Sequence, residues 1–288
     1  MDTSGPLRDV HEQNRLSWNE ATKAHNSHKH DQAAFFREGG NKLYPEERAL
    51  LGDVRGKRIV HLQCNAGQDT LSLAQLGADV TGVDISDEAV AFATQLSHDS
   101  GIPAAFVRAD VYDWLAEAAA GSERWEVAFS SYGAVNWLSG LTTWARGIHD
   151  ILAPGGRFVL VEFHPVLWMF EVDWSLKYDY FEAGPQKWDE GVSDYVAESG
   201  ANLTPSGYKE GVVDFKNPHP VWEFQWPTSS VIGALLGAGL VLESFAEYPY
   251  ANGWKGFSGM REGEGRRVYP PEHIPGLPMM FSVSARRP

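Results

Sequence analysis

Cysteine is nearly absent from this chain, with a single residue, Cys64, in 288 positions, so no intrachain disulfide holds the fold together. Cys64 sits inside an apolar run, where cysteine more often serves as a small buried hydrophobe than as a nucleophile. Long hydrophobic runs are missing too, as is a charged-then-apolar leader, and the expectation is a cytoplasmic protein without a membrane partner. Basic residues are few: 24 Lys and Arg face 38 Asp and Glu, for a formal charge of −14. Nucleic acid needs a basic surface, so that balance argues against a nucleic-acid substrate. The dinucleotide fingerprint G-x-G-x-x-G is also lacking, which sets aside pyrophosphate binding.

What is present is an ordinary globular composition, 43% hydrophobic and 22% charged, with a surplus of eleven Trp. Tryptophan fills cores, but it also walls pockets for flat or cationic ligands. The organising stretch is Arg58 to Thr70. Ile59, Val60 and Leu62 read as a buried strand, the chain breaks at Asn65, Ala66 and Gly67, and a helical pattern opens at Thr70. A turn of this kind presents backbone N–H groups and a positive dipole to a ligand. The next strand ends in Asp84, about twenty residues past the turn, where a strand-end acid bonds ribose hydroxyls. A third strand ends in Asp110, at the same edge of the sheet.

These motifs, in order, resemble the class I S-adenosylmethionine-dependent methyltransferases. The resemblance rests on HLQCNAGQDT at the turn, GVDIS, RADVYDW, VAFSSYG and LAPGGRFVLVE, and covers roughly residues 51 to 160. The family's D/E-x-G-x-G-x-G reads His61, Gln63, Asn65 and Gly67 here, so only the last glycine survives. The resemblance implies an α/β, Rossmann-like doubly wound fold. Its sheet is mostly parallel and seven-stranded with an antiparallel C-terminal strand, preceded by an N-terminal helical lid and carrying a β-rich insertion after the fifth strand. Residues 1–50 would form the lid and 51–288 the core, with 165–228 as an acceptor-lid insertion.

For the cofactor S-adenosylmethionine the resemblance implies Gln63, Asn65 and Gly67 at the turn, Asp84 and Ile85 at the ribose, Asp110 and Val111 at the adenine, and Ser131 near the methionine part. No metal is expected. His25, His28 and His30 match no standard metal-ligand spacing and read as a polar helix end. An acceptor that must lose a proton needs a base, and His is the usual choice near neutral pH. His164, just past the fifth strand, leads, with His28 and His219 behind it and Tyr132 beside the reacting centre. Trp137, Glu223, Tyr248 and Trp254 are acceptor-pocket candidates.

Three functions stay open at this point. One is methyl transfer to a nitrogen or oxygen of a small molecule. The second is cleavage or cyclisation of the same cofactor, and the third is a non-catalytic binding protein on the methyltransferase fold. The long stretch from Ala251 to Leu277 reads as a functional loop.

Overall fold

The computed structural model describes residues 6–181 and 184–288. Three helices lead the chain: α1 (Arg8–Ser27), α2 (Gln32–Arg37) and α3 (Pro45–Leu51). Strands and helices then alternate through β1 (Arg58–Leu62), α4 (Gln68–Gln75), β2 (Asp79–Asp84), α5 (Asp87–Ser100), β3 (Ala105–Arg108), α6 (Val111–Ala120), β4 (Trp125–Ser131), α7 (Leu141–Ile151) and β5 (Leu152–Phe163). The rest comprises β6 (Pro185–Trp188), α8 (Tyr195–Ser199), β7 (Val221–Phe224), α9 (Thr228–Gly237), β8 (Val241–Tyr248), β9 (Ala251–Asn252), β10 (Arg261–Glu262), β11 (Arg267–Tyr269) and β12 (Met280–Arg286).

Seven strands form one sheet in the order β3-β2-β1-β4-β5-β12-β8. The pairings from β3 through β5 are parallel, while β12 lies antiparallel between β5 and β8. The order reverses at β1 and β4, and such a switch point opens a crevice at the carboxyl ends of the strands. In strand β1, Ile59, Val60 and Leu62 are buried because both faces of the strand are covered. Val60 and Leu62 pack with Leu115 of α6 and Ile148 of α7 on one side, whereas Ile59 packs with Leu51 and Leu73 on the other. Burying Ile59 is worth roughly 1.5–3 kcal/mol, and its loss would loosen the strand that carries the ligand turn.

Local chemistry sets the helix ends. Ser86 caps α5 by accepting from the Ala89 N–H at 3.1 Å, Asp87 and Glu88 occupy its first turn, and Gly101 ends it at φ 72°. Helix α1 departs from its expected character. Leu7, Val10, Leu16, Trp18 and Ala21, in the stretch from Leu7 to Phe36, have spacings that suit one or two amphipathic helices, yet the face α1 buries is largely polar: His11, Asn14, Ser17, Thr22 and His25, with Ala21 and Ala24. It covers the crevice and packs on α5 and β7, where Ala21 joins a small apolar cluster with Val192 and Val221 and the polar side chains find polar partners.

The segment after β5 also differs from expectation. Within the expected β-rich insertion, the apolar piece Val212, Val213 and Phe215 forms no strand: Ser27 Oγ and His28 Nδ1 take the Val212 and Gly211 N–H groups that a ladder would need. Among the described residues of 165–228, β6 and β7 make a two-stranded ribbon, and the remainder is 3-10 turns, irregular chain, helix α8 and the first residue of α9.

Candidate active site

The carboxyl ends of β1, β2 and β4 open into a cavity of about 660 Å³, roofed by α1 and by the segment that follows β5. Its floor begins at the turn after β1. Gln63 and Asn65 take left-handed backbone at φ 55° and 49°, in a turn that the family usually fills with glycine. Asn tolerates this region, and its own Oδ1 accepts from the Ala66 N–H at 2.6 Å. Gln63 is held by Nε2 donating to the Ala134 carbonyl at 2.8 Å, which leaves its Oε1 buried without a partner. Gly67 at φ 78° opens α4, and a Cβ there would meet Ala93 at 2.6 Å and Phe106 at 2.8 Å. No side chain caps the α4 N-terminus.

Asp84 closes the next corner. Its two oxygens accept from the Asn65 N–H at 2.7 Å and the Ser86 N–H at 2.9 Å, and burial pushes its carboxyl up to about 6. Each oxygen keeps a lone pair for a ligand hydroxyl. Asp110 is more committed. It caps α6 through the Tyr112 N–H and takes Arg8 at 2.8 Å and His11 at 2.6 Å from α1. Burial works to raise its carboxyl, but His11 lowers it further, and the group ends below its usual range. The sequence implied a ligand contact for this acid, yet much of its capacity is spent holding α1 down.

His61 stands where the family carries an acid. Its ring contacts Thr70 Oγ1 at 2.9 Å and Ser131 Oγ at 3.2 Å, and burial pushes it down to about 4. Neutral imidazole can serve both hydroxyls, which supplies polarity without charge. Nearby, Asp69 pairs with Lys42 at 3.0 Å.

The other half of the cavity is aromatic. Tyr132 and Phe163 lie 5.6 Å apart by ring centroid, Phe163 and Trp254 4.7 Å, and Trp254 and Trp168 5.7 Å. Tyr132 sits at the strained φ of 22°. Glu162 imposes that bend: its buried carboxylate accepts the N–H groups of Gly133, Ala134 at 2.7 Å, Val135 at 2.9 Å and Phe163 at 2.7 Å. Asn252 Nδ2 donates to the Tyr132 hydroxyl at 2.8 Å. Trp137, Trp188 and Glu223 line a further wall, and Glu223 accepts from Asn136 Nδ2 at 3.2 Å. Burial raises its carboxyl to about 7.

Of the residues expected from sequence, Gln63, Asn65, Asp84, Ile85, Asp110, Val111, Ser131, Tyr132, Trp137, Glu223 and Trp254 line this one cavity. Gly67 lies behind it, packed on Ala93 and Phe106. Four expectations change. His164 is not in the cavity: it caps the 3-10 turn after β5 through Val166 N at 3.2 Å, and its Nε2 faces Glu247 at 3.0 Å. Buried and so engaged, it has no route to a ligand there. His28 bonds Asp194 at 2.7 Å and the Gly211 N–H at 3.1 Å and stacks on Tyr208, fastening α1 to the roof. His219 lies outside the lining, its N–H bound to Asn217. Tyr248 turns its hydroxyl to Ser282 at 3.0 Å on the strand pair β8 and β12. His25 turns its Nε2 to the Ser193 carbonyl at 2.8 Å.

Sequence reasoning missed His11, Asn14, Lys42, Asp69, Tyr195 and Asn252 in the lining, whereas Trp18 and Lys29, both expected as contacts of the N-terminal lid, are part of it. A signal existed for α1, since positions 11, 14 and 18 share one helical face. No comparable signal marks Lys42 or Asn252.

Residues 59–156 match a family described as a methyltransferase domain. Over those residues the chain is similar to methyltransferase domains. Among relatives of this chain, an uncharacterised methyltransferase of Synechocystis is 32% identical over 118 residues, which are 40% of this chain and 51% of that protein. An S-adenosyl-L-methionine-dependent Diels-Alderase of Talaromyces variabilis is 34% identical over 107 residues, 37% of this chain and 36% of that one. This chain thus spans about half or less of the curated relatives' length. A crystal structure of an S-adenosylmethionine-dependent methyltransferase from Mesorhizobium loti superposes with TM-score 0.55 at 22% identity, covering 86% of this chain and 99% of that chain, a likeness of fold. Among the described residues no helix is long and apolar enough to cross a membrane, and no group of three or more His, Cys, Asp or Glu is placed to hold a metal ion.

Proposed function

We propose that the protein transfers a methyl group from S-adenosylmethionine to a nitrogen or oxygen of a small-molecule acceptor, both ligands lying in the one cavity. The observation that carries this reading is the division of that cavity. One half holds the turn after β1, Asp84 with spare lone pairs and Ile85, and the other is walled by Tyr132, Phe163, Trp168 and Trp254. The donor set suits a nucleoside with an amino-acid tail. Asp84 would take the ribose hydroxyls, Ile85 and Val111 the adenine faces, and Gln63, with its unpartnered Oε1, a donor on the tail.

The bound cofactor supplies an activated methyl on a sulfonium. The protein then has to align an acceptor and exclude water, and alignment is worth up to about 7–11 kcal/mol. The aromatic wall serves both ends, being stiff and dry. With His164 and His28 engaged elsewhere, the base for an acceptor proton is Glu223, the cavity carboxylate that burial brings to about 7. A carboxylate among Trp137 and Trp188 also favours an ammonium acceptor, which argues for nitrogen.

A second reading keeps the cofactor and changes the reaction. It is favoured by the altered turn at His61, Gln63 and Asn65 and by the likeness to a Diels-Alderase. Calorimetric titration with S-adenosylhomocysteine, on the wild type and on Asp84→Ala, tests the shared part: micromolar binding that weakens about a hundredfold in the variant is expected. No binding by a folded wild type sinks both readings. Product analysis with an acceptor library separates them, since only methyl transfer yields a methylated product with S-adenosylhomocysteine.

A further inference from the structure

Lys29 follows α1 and is held by a strand-like bridge to Tyr208, with the His30 N–H bonded to the Gly207 carbonyl at 3.0 Å. Its side chain runs into the cavity beside Gln68, Lys42 and Leu203. Lys42 has an ion-pair partner in Asp69 at 3.0 Å. Lys29 has none: among the described residues no carboxylate lies within 4.0 Å of its Nζ, and its one side-chain hydrogen bond is a long one, 3.4 Å to Asn26 Oδ1. A half-buried ammonium without a counter-charge is costly, and proteins of net charge −14 have carboxylates to spare. Asn26 and Gln68 are meanwhile tied to Gln32, with Gln68 Nε2 donating to Gln32 Oε1 at 2.7 Å, so neither is free to swing toward the amine. The neighbouring α4 N-terminus, uncapped by any side chain, adds positive potential on the same side.

We propose that Lys29 holds the carboxylate of a ligand in this cavity, making a carboxylate subsite beside Lys42, Gln68 and Leu203. The site rests on the cofactor reading above for its first source of that carboxylate, the amino-acid tail of the nucleoside. An acid group on the acceptor is the second source. Burial, with Lys42 adding to it, pushes the Lys29 amine down to about 7, and an incoming carboxylate relieves that depression.

The test compares ligands that differ by the carboxylate. Wild type and Lys29→Met are titrated calorimetrically with S-adenosylhomocysteine and with methylthioadenosine, which lacks the amino-acid tail. The expected result is a roughly tenfold to hundredfold loss for S-adenosylhomocysteine in the variant, the size of a charged hydrogen bond, with methylthioadenosine unchanged within about twofold. Lys29→Arg should recover part of the loss, which also covers the case of a poorly folded methionine variant. Equal losses for both ligands mean that Lys29 acts on the fold, and overturn the proposal. If S-adenosylhomocysteine is unaffected, anthranilate and aniline are titrated as fragment probes on the cofactor-saturated protein. A preference for the acid that Lys29→Met abolishes assigns the subsite to the acceptor, and no such preference overturns it. A wild type that binds neither nucleoside removes the cofactor reading, and the subsite then stands or falls on the anthranilate and aniline pair alone.

Discussion

The two halves of the cavity are built in different ways. The cofactor half is made by the ends of parallel strands, and its groups come from short consecutive pieces: Gln63 to Gly67, Asp84 and Ile85, Asp110 and Val111. The aromatic half is made by three stretches far apart in the chain, at Tyr132, at Phe163 and Trp168, and at Trp254. Tyr132, Phe163, Trp168 and Trp254 meet only because Glu162 bends the chain after β4 and the loop carrying Trp254 folds back over β5. Strand ends impose position through a periodic ladder, whereas the aromatic wall is positioned by ring packing worth about 0.5–1.5 kcal/mol per pair. A site assembled in this way can keep its cofactor half while its acceptor half diverges, which is how one fold comes to host many substrates.

Substitutions that strike one half should therefore leave the other intact. The largest effect is expected at Gly67→Ala, where φ 78° and the 2.6 Å approach to Ala93 leave no room for a methyl. Strain and overpacking together should cost about 2–4 kcal/mol in urea unfolding, and S-adenosylhomocysteine affinity should fall with it. A stable Gly67→Ala variant with full affinity would show that the turn is not what organises the ligand.

Trp254→Ala tests the opposite half. It removes the ring that touches Phe163, Trp168 and Phe257, so KM for the acceptor should rise roughly tenfold. S-adenosylhomocysteine affinity, measured in parallel, should stay within about twofold; a matching loss of both would mean that the cavity behaves as one unit.

The smallest effect is a matter of pH. Burial raises the Glu223 carboxyl to about 7, above its unfolded value near 4.3, so the protonated form is favoured in the fold. Its stabilising contribution is full below about pH 4 and is lost as the pH rises through 7. Glu223→Gln should then gain stability relative to wild type between pH 4 and 8, followed by thermal unfolding. As a base, the ionised group should give the rate a limb rising through pH 7, and the Gln variant should flatten it severalfold. A limb that persists in Glu223→Gln would assign the proton to another group.

Sequence by itself determined the sheet and its ligand edge. Apolar runs such as Ile59 to Leu62, turn residues such as Gly67 and caps such as Ser86 act over a few neighbours, so their chemistry is legible locally. The positions of Asp84 and Asp110 at one edge follow from parallel strands of similar length. What only the tertiary structure decided is which polar groups remain available to a ligand. His164 and His28 have the chemistry of a base, yet Glu247 and Asp194, 83 and 166 positions away, have already engaged them. Lys29 fits the lid in the sequence, but nothing in the chain signals that it lacks a counter-charge inside the cavity. Partnership between distant side chains depends on how loops close, and no local periodicity encodes that.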